Sequence, residues 1–136
     1  MKIVFLCVAN SARSQMAEGL TRTLLAPNTE VISAGSKPSF VHPLAIEAMK
    51  ELNIDISGHT SKCVDKLDLS NADFIITLCA DEVCPVFIGP AQKLHWPFPD
   101  PATPAMSHNE QLHQFRMVRD QLSEKIKSWR EEFKDA

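Results

Sequence analysis

The chain has 136 residues, the size of one domain, with 44% hydrophobic and 23% charged residues and a formal net charge of -3. That is ordinary soluble-protein composition, and it argues against a dedicated nucleic-acid binder, which would be basic. The longest apolar runs, Ile3 to Val8 and Phe74 to Ile76, fall far short of the roughly 20 residues a membrane-spanning helix requires. The N-terminus lacks the apolar stretch and cleavage site of a secretory signal, so the chain is expected in the cytoplasm. In a reducing compartment its four cysteines, Cys7, Cys63, Cys79 and Cys84, point to catalytic, redox or metal-binding roles before structural bridges.

Lys2 to Leu6 reads as a short buried strand, and from Ser14 a helix returns Met16, Leu20, Thr23 and Leu24 to one face. A tight polar loop joins them. Glu30 to Ala34 predicts a second strand, broken by Gly35, Ser36 and Pro38. A helix then starts near His42 and Pro43, turns Ile46, Met49 and Leu52 inward and ends near Asn53. A short helical stretch near Val64 to Leu69 precedes a strand over Asp73 to Leu78 that stops at Cys79, and a further strand covers Lys93 to Trp96. Four prolines from Pro97 to Pro104 enforce an extended surface loop. Apolar residues then recur three or four apart at Leu112, Phe115, Val118, Leu122, Ile126, Trp129 and Phe133, the stripe of one long amphipathic helix laid on the sheet. Strands alternating with helices imply right-handed crossovers and one α/β domain over residues 1–136 with a mostly parallel sheet.

In a parallel sheet the ligand crevice lies beyond the carboxyl ends of the strands. The first strand ends there in Cys7-Val8-Ala9-Asn10-Ser11-Ala12-Arg13-Ser14, just ahead of a helix. Successive amides of such a loop form a nest for an anion, the helix end adds partial positive charge, and Arg13 offers a two-pronged fork to two oxygens. The same field favours thiolate over thiol and makes Cys7 a nucleophile beneath a wrapped tetrahedral oxyanion. Asn10 is one of the few non-glycine types that tolerates the positive φ a tight nest needs, and Ser14 is placed to donate a hydrogen bond to the sulfur. The bland reading, a core cysteine and a surface arginine, requires strand, cysteine, loop, Arg-Ser and helix to coincide by accident.

This pattern resembles the low-molecular-weight protein tyrosine phosphatase superfamily and, more closely, its arsenate reductase branch, the type usually coupled to thioredoxin. The resemblance covers nearly the whole chain through Arg13-Ser14-Gln15-Met16-Ala17-Glu18-Gly19, Ser33-Ala34-Gly35, Ala45-Ile46-Glu47-Ala48-Met49, His59-Thr60-Ser61, Thr77-Leu78-Cys79, His95-Trp96 and Asp100-Pro101-Ala102. It implies a four-stranded parallel sheet flanked by helices. It also implies an oxyanion held by Val8, Ala9, Asn10, Ser11, Ala12, Arg13 and Ser14, with catalysis by Cys7, Arg13 and Asp100. Phosphatases of the family follow the aspartate and proline with tyrosine, whereas here Ala102 follows and the chain contains no tyrosine. A phosphotyrosine slot is therefore not expected, although small phosphate esters share the shape and charge of arsenate. The resemblance implies instead a relay in which Cys7 attacks arsenate and Asp100 protonates the departing oxygen. Cys79 then attacks the Cys7 sulfur to release arsenite, and Cys84 takes over a disulfide that an external thiol reductant opens. No tightly bound cofactor is implied.

Other readings stay open on the residues alone. In a low-molecular-weight protein phosphatase Cys79 and Cys84 are bystanders, and in an oxyanion-binding regulatory module the nucleophile is silent. Zinc ligation by Cys79 and Cys84 with His95 or His108 lacks the second Cys or His pair that completes such a site, so no metal is expected. Asp100, between two prolines, also suits the cap of a turn. Cys63 has no assigned role.

The chain departs from the family where Ala9 replaces the more usual glycine and Ala12 a cysteine found in some relatives. Only four residues separate Cys79 from Cys84, a shorter spacing than thioredoxin-coupled members have. A short segment limits the reach of Cys84, so glutaredoxin with glutathione competes with thioredoxin as reductant. Relatives that bind potassium beside the loop use asparagine, glutamate, serine, threonine and aspartate. Asn10, Glu18, Ser33 and Thr60 match, but Lys62 stands at the aspartate position, and its ammonium is expected to replace the cation.

Overall fold

A computed structural model describes residues 1–25, 27–80, 89–102 and 107–134. Four strands, β1 (Lys2–Cys7), β2 (Glu30–Gly35), β3 (Phe74–Thr77) and β4 (Gln92–His95), form one sheet in the order β2-β1-β3-β4. Every neighbouring pair is parallel, so the mostly parallel sheet expected from the alternation is wholly parallel. Helix α1 (Arg13–Leu24) joins β1 to β2, α2 (Pro43–Lys50) and a single 3-10 turn at Val64–Lys66 separate β2 from β3, and α3 (His108–Lys134) follows β4. Because β2 lies on one side of β1 and β3 on the other, the chain reverses its direction of winding there. The crevice of such a sheet opens at that point, and Cys7 is the last residue of β1.

Ile3, Val4, Phe5 and Leu6 are completely buried, the unbroken apolar run that a strand covered on both faces requires. Ile3 and Phe5 pack into the larger cluster with Met16, Val118 and Leu122, whereas Val4 and Leu6 pack into a smaller one with Ala34 and Ile75. The stripe read in α3 holds, since Leu112, Phe115, Val118, Leu122, Ile126 and Trp129 are all buried. The side chain of Phe133 lies outside the described residues. Trp129 stands edge-on to Trp96 at 5.3 Å and to Phe74 at 5.0 Å, which fixes α3 over β3 and β4.

One expectation fails at the end of α2. The helix stops at Lys50, Asn53 reverses the chain at φ 61°, and Leu52 is exposed. The inward face is Leu44, Ala45, Ala48 and Met49, with Ile46 partly buried. A turn that begins early rotates Leu52 off the stripe that a longer helix would have continued. The same end is tied to α3, where the Glu51 carboxylate accepts from Arg116 Nε at 2.9 Å and from Arg119 Nη1 at 2.7 Å. Those guanidinium hydrogen bonds hold the Glu51 carboxyl down at about 2. Among the described residues no helix is long and apolar enough to cross a membrane.

Candidate active site

β1 delivers Cys7 to the carboxyl edge of the sheet, where it is 2% exposed, and residues 8–12 turn the chain into α1. Asn10 takes the positive φ foreseen for it, 48°, and Ala9 does not, so a Cβ is accommodated at position 9. The loop carbonyls are held from outside. Val8 O accepts the Lys37 N–H at 2.9 Å, Ala9 O accepts the Ser39 N–H at 3.2 Å and the Ser61 hydroxyl at 2.9 Å, and Ser11 O accepts the His42 N–H at 2.9 Å. Among the main-chain hydrogen bonds outside helices and strands, these carbonyls accept while none is donated by residues 8–12, a pattern that suits an anion nest. Gly35 makes the fit possible. It pairs with Cys7 in the β1–β2 ladder, and a Cβ there would come within 2.3 Å of Val8 O.

Beneath the loop runs a chain of buried hydrogen bonds. Cys7 Sγ lies 2.9 Å from Ser14 Oγ, which itself accepts from Asn10 Nδ2 at 2.7 Å, so the serine hydrogen is free to point at the sulfur. Asn10 Nδ2 also donates to Ser33 Oγ at 3.0 Å, and the Ser33 hydroxyl donates to Glu18 Oε1 at 3.0 Å. On its other side Asn10 Oδ1 accepts from the Lys62 N–H at 2.9 Å and from Gln15 Nε2 at 3.0 Å. Asn10, Ser14, Gln15 and Ser33 are completely buried, where each such bond is strong and each omission costly. Sequence reasoning found the backbone role of Asn10 and the hydroxyl of Ser14. It placed Ser33 beside Asn10 only through the family's cation ligands, since no local spacing marks partners 23 residues apart, and it missed the part played by Gln15.

The buried Glu18 carboxylate is surrounded by cationic and donor groups. His59 Nδ1 lies 3.1 Å from Glu18 Oε2 and 3.0 Å from Gln15 Oε1, two acceptors, so this nitrogen carries the proton. Arg22 Nη1 stands 3.4 Å from Oε2, and Lys62 Nζ stands 4.0 Å from Oε1 while donating to Thr60 O at 2.7 Å. Burial pushes both His59 and Lys62 below their ordinary pKa values, against the pull of Glu18. These residues do not fit a bound potassium ion. The Thr60 carbonyl and Glu18 carboxylate that would ligate it already face the Lys62 ammonium, and a second cation would meet like charge.

The second cysteine comes from the neighbouring strand. Leu6 stands opposite Thr77 and Leu78 N–H donates to Leu6 O at 2.9 Å, so Cys79 leaves β3 one residue further along than Cys7 leaves β1. Cys79 is 1% exposed and disulfide-bonded, whereas Cys7 and Cys63 are free. The sequence reading of Cys84 lies outside the described residues. The loop that carries Asp100 hangs from the same edge. Phe98 N–H donates to Leu78 O at 3.1 Å, and Phe98 O accepts from Arg13 Nη1 at 3.0 Å. Arg13, 5% exposed, thus joins the loop that follows Cys7 to the loop that carries Asp100. Two residues on, Asp100 is exposed and its Oδ1 accepts the Ala102 N–H at 3.0 Å, the turn-capping bond that the sequence also allowed. The structure therefore gathers Cys7, Arg13, Ser14 and Cys79 at one edge and puts Asp100 on a loop anchored there. Among the described residues no group of three or more His, Cys, Asp or Glu could hold a metal ion.

Known proteins share this fold and much of this sequence. A family model described as low molecular weight phosphotyrosine protein phosphatase matches residues 2–136. Arsenate reductase 2 of Staphylococcus saprophyticus is 47% identical over 129 residues, which cover 93% of this chain and 94% of that protein. Among solved structures, an arsenate reductase in a phosphate-binding state superposes with a TM-score of 0.78 at 38% identity, covering 94% of this chain and 95% of that one. A thioredoxin-dependent arsenate reductase of Corynebacterium glutamicum superposes with a TM-score of 0.63 at 28% identity, covering 93% of this chain and 61% of that one.

Proposed function

The chain belongs to the low molecular weight phosphotyrosine protein phosphatase family, and from that premise we propose that it is an arsenate reductase working through a thiol relay. The observation that carries the reading is the state of the thiols at one sheet edge. Cys79 is disulfide-bonded and emerges beside a free Cys7 whose sulfur meets the Ser14 hydroxyl. A phosphatase needs the second of these features and has no use for the first.

In the proposed cycle the Cys7 thiolate attacks arsenic, an arsenic–oxygen bond breaks, and the oxygen leaves as water with a proton from Asp100. Arg13 and the loop amides hold the remaining oxygens. The Cys79 thiolate then attacks the Cys7 sulfur. A disulfide forms, the sulfur–arsenic bonding pair passes to arsenic, and arsenite leaves with arsenic reduced from As(V) to As(III). Cys84 attacks the Cys79 sulfur, which restores Cys7 and leaves a Cys79–Cys84 disulfide for an external dithiol to reduce. Thioredoxin is the proposed reductant, on the likeness to the Corynebacterium enzyme, with glutaredoxin and glutathione as the competing pair. A cycle that returns through free thiols suits the reducing cytoplasm.

The test is arsenate-dependent NADPH oxidation, run separately with thioredoxin plus its reductase and with glutaredoxin plus glutathione. Turnover with the first is expected, turnover with the second alone replaces the reductant, and failure with both rejects the reductase. Cys79→Ser should lose arsenate reduction while keeping slow hydrolysis of a small aryl phosphate. Cys84→Ser should stop after about one arsenite per enzyme with a Cys7–Cys79 disulfide visible by peptide mass spectrometry.

A further inference from the structure

The carbonyls of residues 8–12 are held in two different ways. In a trans peptide the C=O and the N–H point in opposite directions, so whatever holds a carbonyl also sets where the next residue's N–H points. Main-chain N–H groups hold four of the five. Lys37 donates to Val8 O, Ser39 to Ala9 O, His42 to Ser11 O and Met16 of α1 to Ala12 O. Among the described residues the Asn10 carbonyl has no main-chain donor, and it is the Gln15 side chain that holds it, with Nε2 donating at 3.1 Å.

Gln15 is completely buried, and its surroundings decide which way its amide faces. Asn10 O, Asn10 Oδ1 and Thr60 O can only accept, at 3.1, 3.0 and 3.0 Å, so they face Nε2. Oε1 is left to the protonated Nδ1 of His59 at 3.0 Å. One nitrogen therefore fastens Asn10, the left-handed residue at φ 48°, by its main chain and its side chain together. The position in α1 is telling. With Ala12 as N-cap, Gln15 is the third helical residue, from which a Glu or Gln ordinarily reaches back to accept the N-cap N–H. Gln15 reaches two residues further and donates instead, which a glutamate could not do.

We propose that Gln15 is a positioning residue of the oxyanion site, which by holding the Asn10 carbonyl aims the Ser11 N–H at the bound anion. The proposal rests on the reading of residues 8–14 as that site and not on the reduction step, and its test keeps the two apart. Inorganic phosphate is titrated by calorimetry into the wild type, Gln15→Met and Gln15→Glu, with arsenate kinetics alongside. Methionine keeps the length and lacks the donor. Glutamate keeps the shape and an acceptor for His59 but turns an acceptor toward the carbonyls of Asn10 and Thr60. Phosphate should bind about 10-fold more weakly to Gln15→Met, the loss of roughly one hydrogen bond to a charged group, and more weakly still to Gln15→Glu. Arsenate KM should rise in the same order with kcat within about 3-fold of the wild type, because Ser14 keeps both Cys7 and Asn10 Nδ2. A general loss of stability does not produce that split.

Nitrogen-15 NMR reads the peptide itself. The Ser11 N–H of the wild type should move downfield as phosphate binds, and the movement should shrink in Gln15→Met. Unchanged phosphate affinity in Gln15→Met, or a fall in kcat with KM unchanged, overturns the proposal. So does a wild-type Ser11 resonance that phosphate leaves in place, a result that needs no variant to fold. A wild type that binds phosphate yet reduces no arsenate rejects the reductase and leaves the proposal standing, whereas one that binds no phosphate rejects the anion site and the proposal with it.

Discussion

Residues 7–14 and 97–102 both border the carboxyl edge of the sheet, yet Asn10 and Ser14 are completely buried while Asp100 is exposed. The first stretch is held by a frame of side-chain and main-chain hydrogen bonds reaching from Lys37 to Lys62. The second is fastened at Phe98 and capped at Ala102, and its shape comes from prolines at 97, 99 and 101. The difference suits the two tasks proposed for these stretches, oxyanion binding and proton donation. Charge developing on an oxyanion is best met by dipoles already fixed in place, which need no reorganisation at the moment of reaction. A group that must recover a proton every cycle needs water, and proline limits its wandering without taking that water away.

The sharpest way to break the comparison is to remove the sulfur and leave the frame. Cys7→Ser should reduce arsenate turnover to background, since a serine hydroxyl is almost wholly protonated at neutral pH, while isothermal titration still detects sulfate or phosphate in the loop. Loss of oxyanion binding together with turnover would show that the sulfur helps to build the nest. A smaller effect is expected from pressing on the frame itself. Gly35→Ala puts a methyl against the Val8 and Cys7 carbonyls, main-chain atoms that cannot step aside. Arsenate kcat/KM should fall by about 10- to 100-fold, with a lower melting temperature, since cramped backbone of this kind costs on the order of 1–3 kcal/mol. Pro99→Ala, the matching change in the acid loop, should cost less than a tenth of that loss in rate.

The smallest effect lies away from both loops. Glu51 is held at about 2, below the ordinary 4.5 of a glutamate, so its contacts with Arg116 and Arg119 stabilise the fold above pH 4.5 and that stability is lost as pH falls toward 2. The melting temperature of the wild type should therefore converge on that of Glu51→Gln across this window. The gap at neutral pH should be no more than about 5 °C, because Glu51 is one-third exposed and solvent screens the pairs. Arsenate turnover at neutral pH should be unchanged, and a change would link the α2–α3 seam to the site.

How much of this was legible in the sequence follows the distance between the groups involved. The β1–loop–α1 junction is continuous in sequence, so Cys7, Arg13, the positive φ of Asn10 and the Ser14 hydroxyl could all be read from one stretch. The stripe of α3 is likewise local, each residue three or four from the next. Leu52 was misread because periodicity does not reveal where a helix stops, and here the turn ending at Asn53 decided it. The bonds of Asn10 to Ser33 and of Gln15 to Thr60 span 23 and 45 residues and leave no local signature. The anchor between Arg13 and Phe98 ends on a main-chain oxygen, which any side chain at 98 would present. Lys62 could be singled out only by comparison with relatives, since a lone lysine near a glutamate is unremarkable on its own.

Lys37, Ser39 and His42 belong to no helix or strand except that His42 caps α2, and surface segments of that kind ordinarily exchange their amide hydrogens with solvent quickly. These three amides are instead bonded to the carbonyls of Val8, Ala9 and Ser11. Their hydrogens can exchange only when the nucleophile loop lets go, so deuterium uptake at 37, 39 and 42 measures how often the anion site opens. An oxyanion that binds the closed loop shifts that equilibrium by mass action and slows all three amides together. Occupancy of a buried site thereby becomes readable on the outside of the molecule, at residues that never touch the ligand.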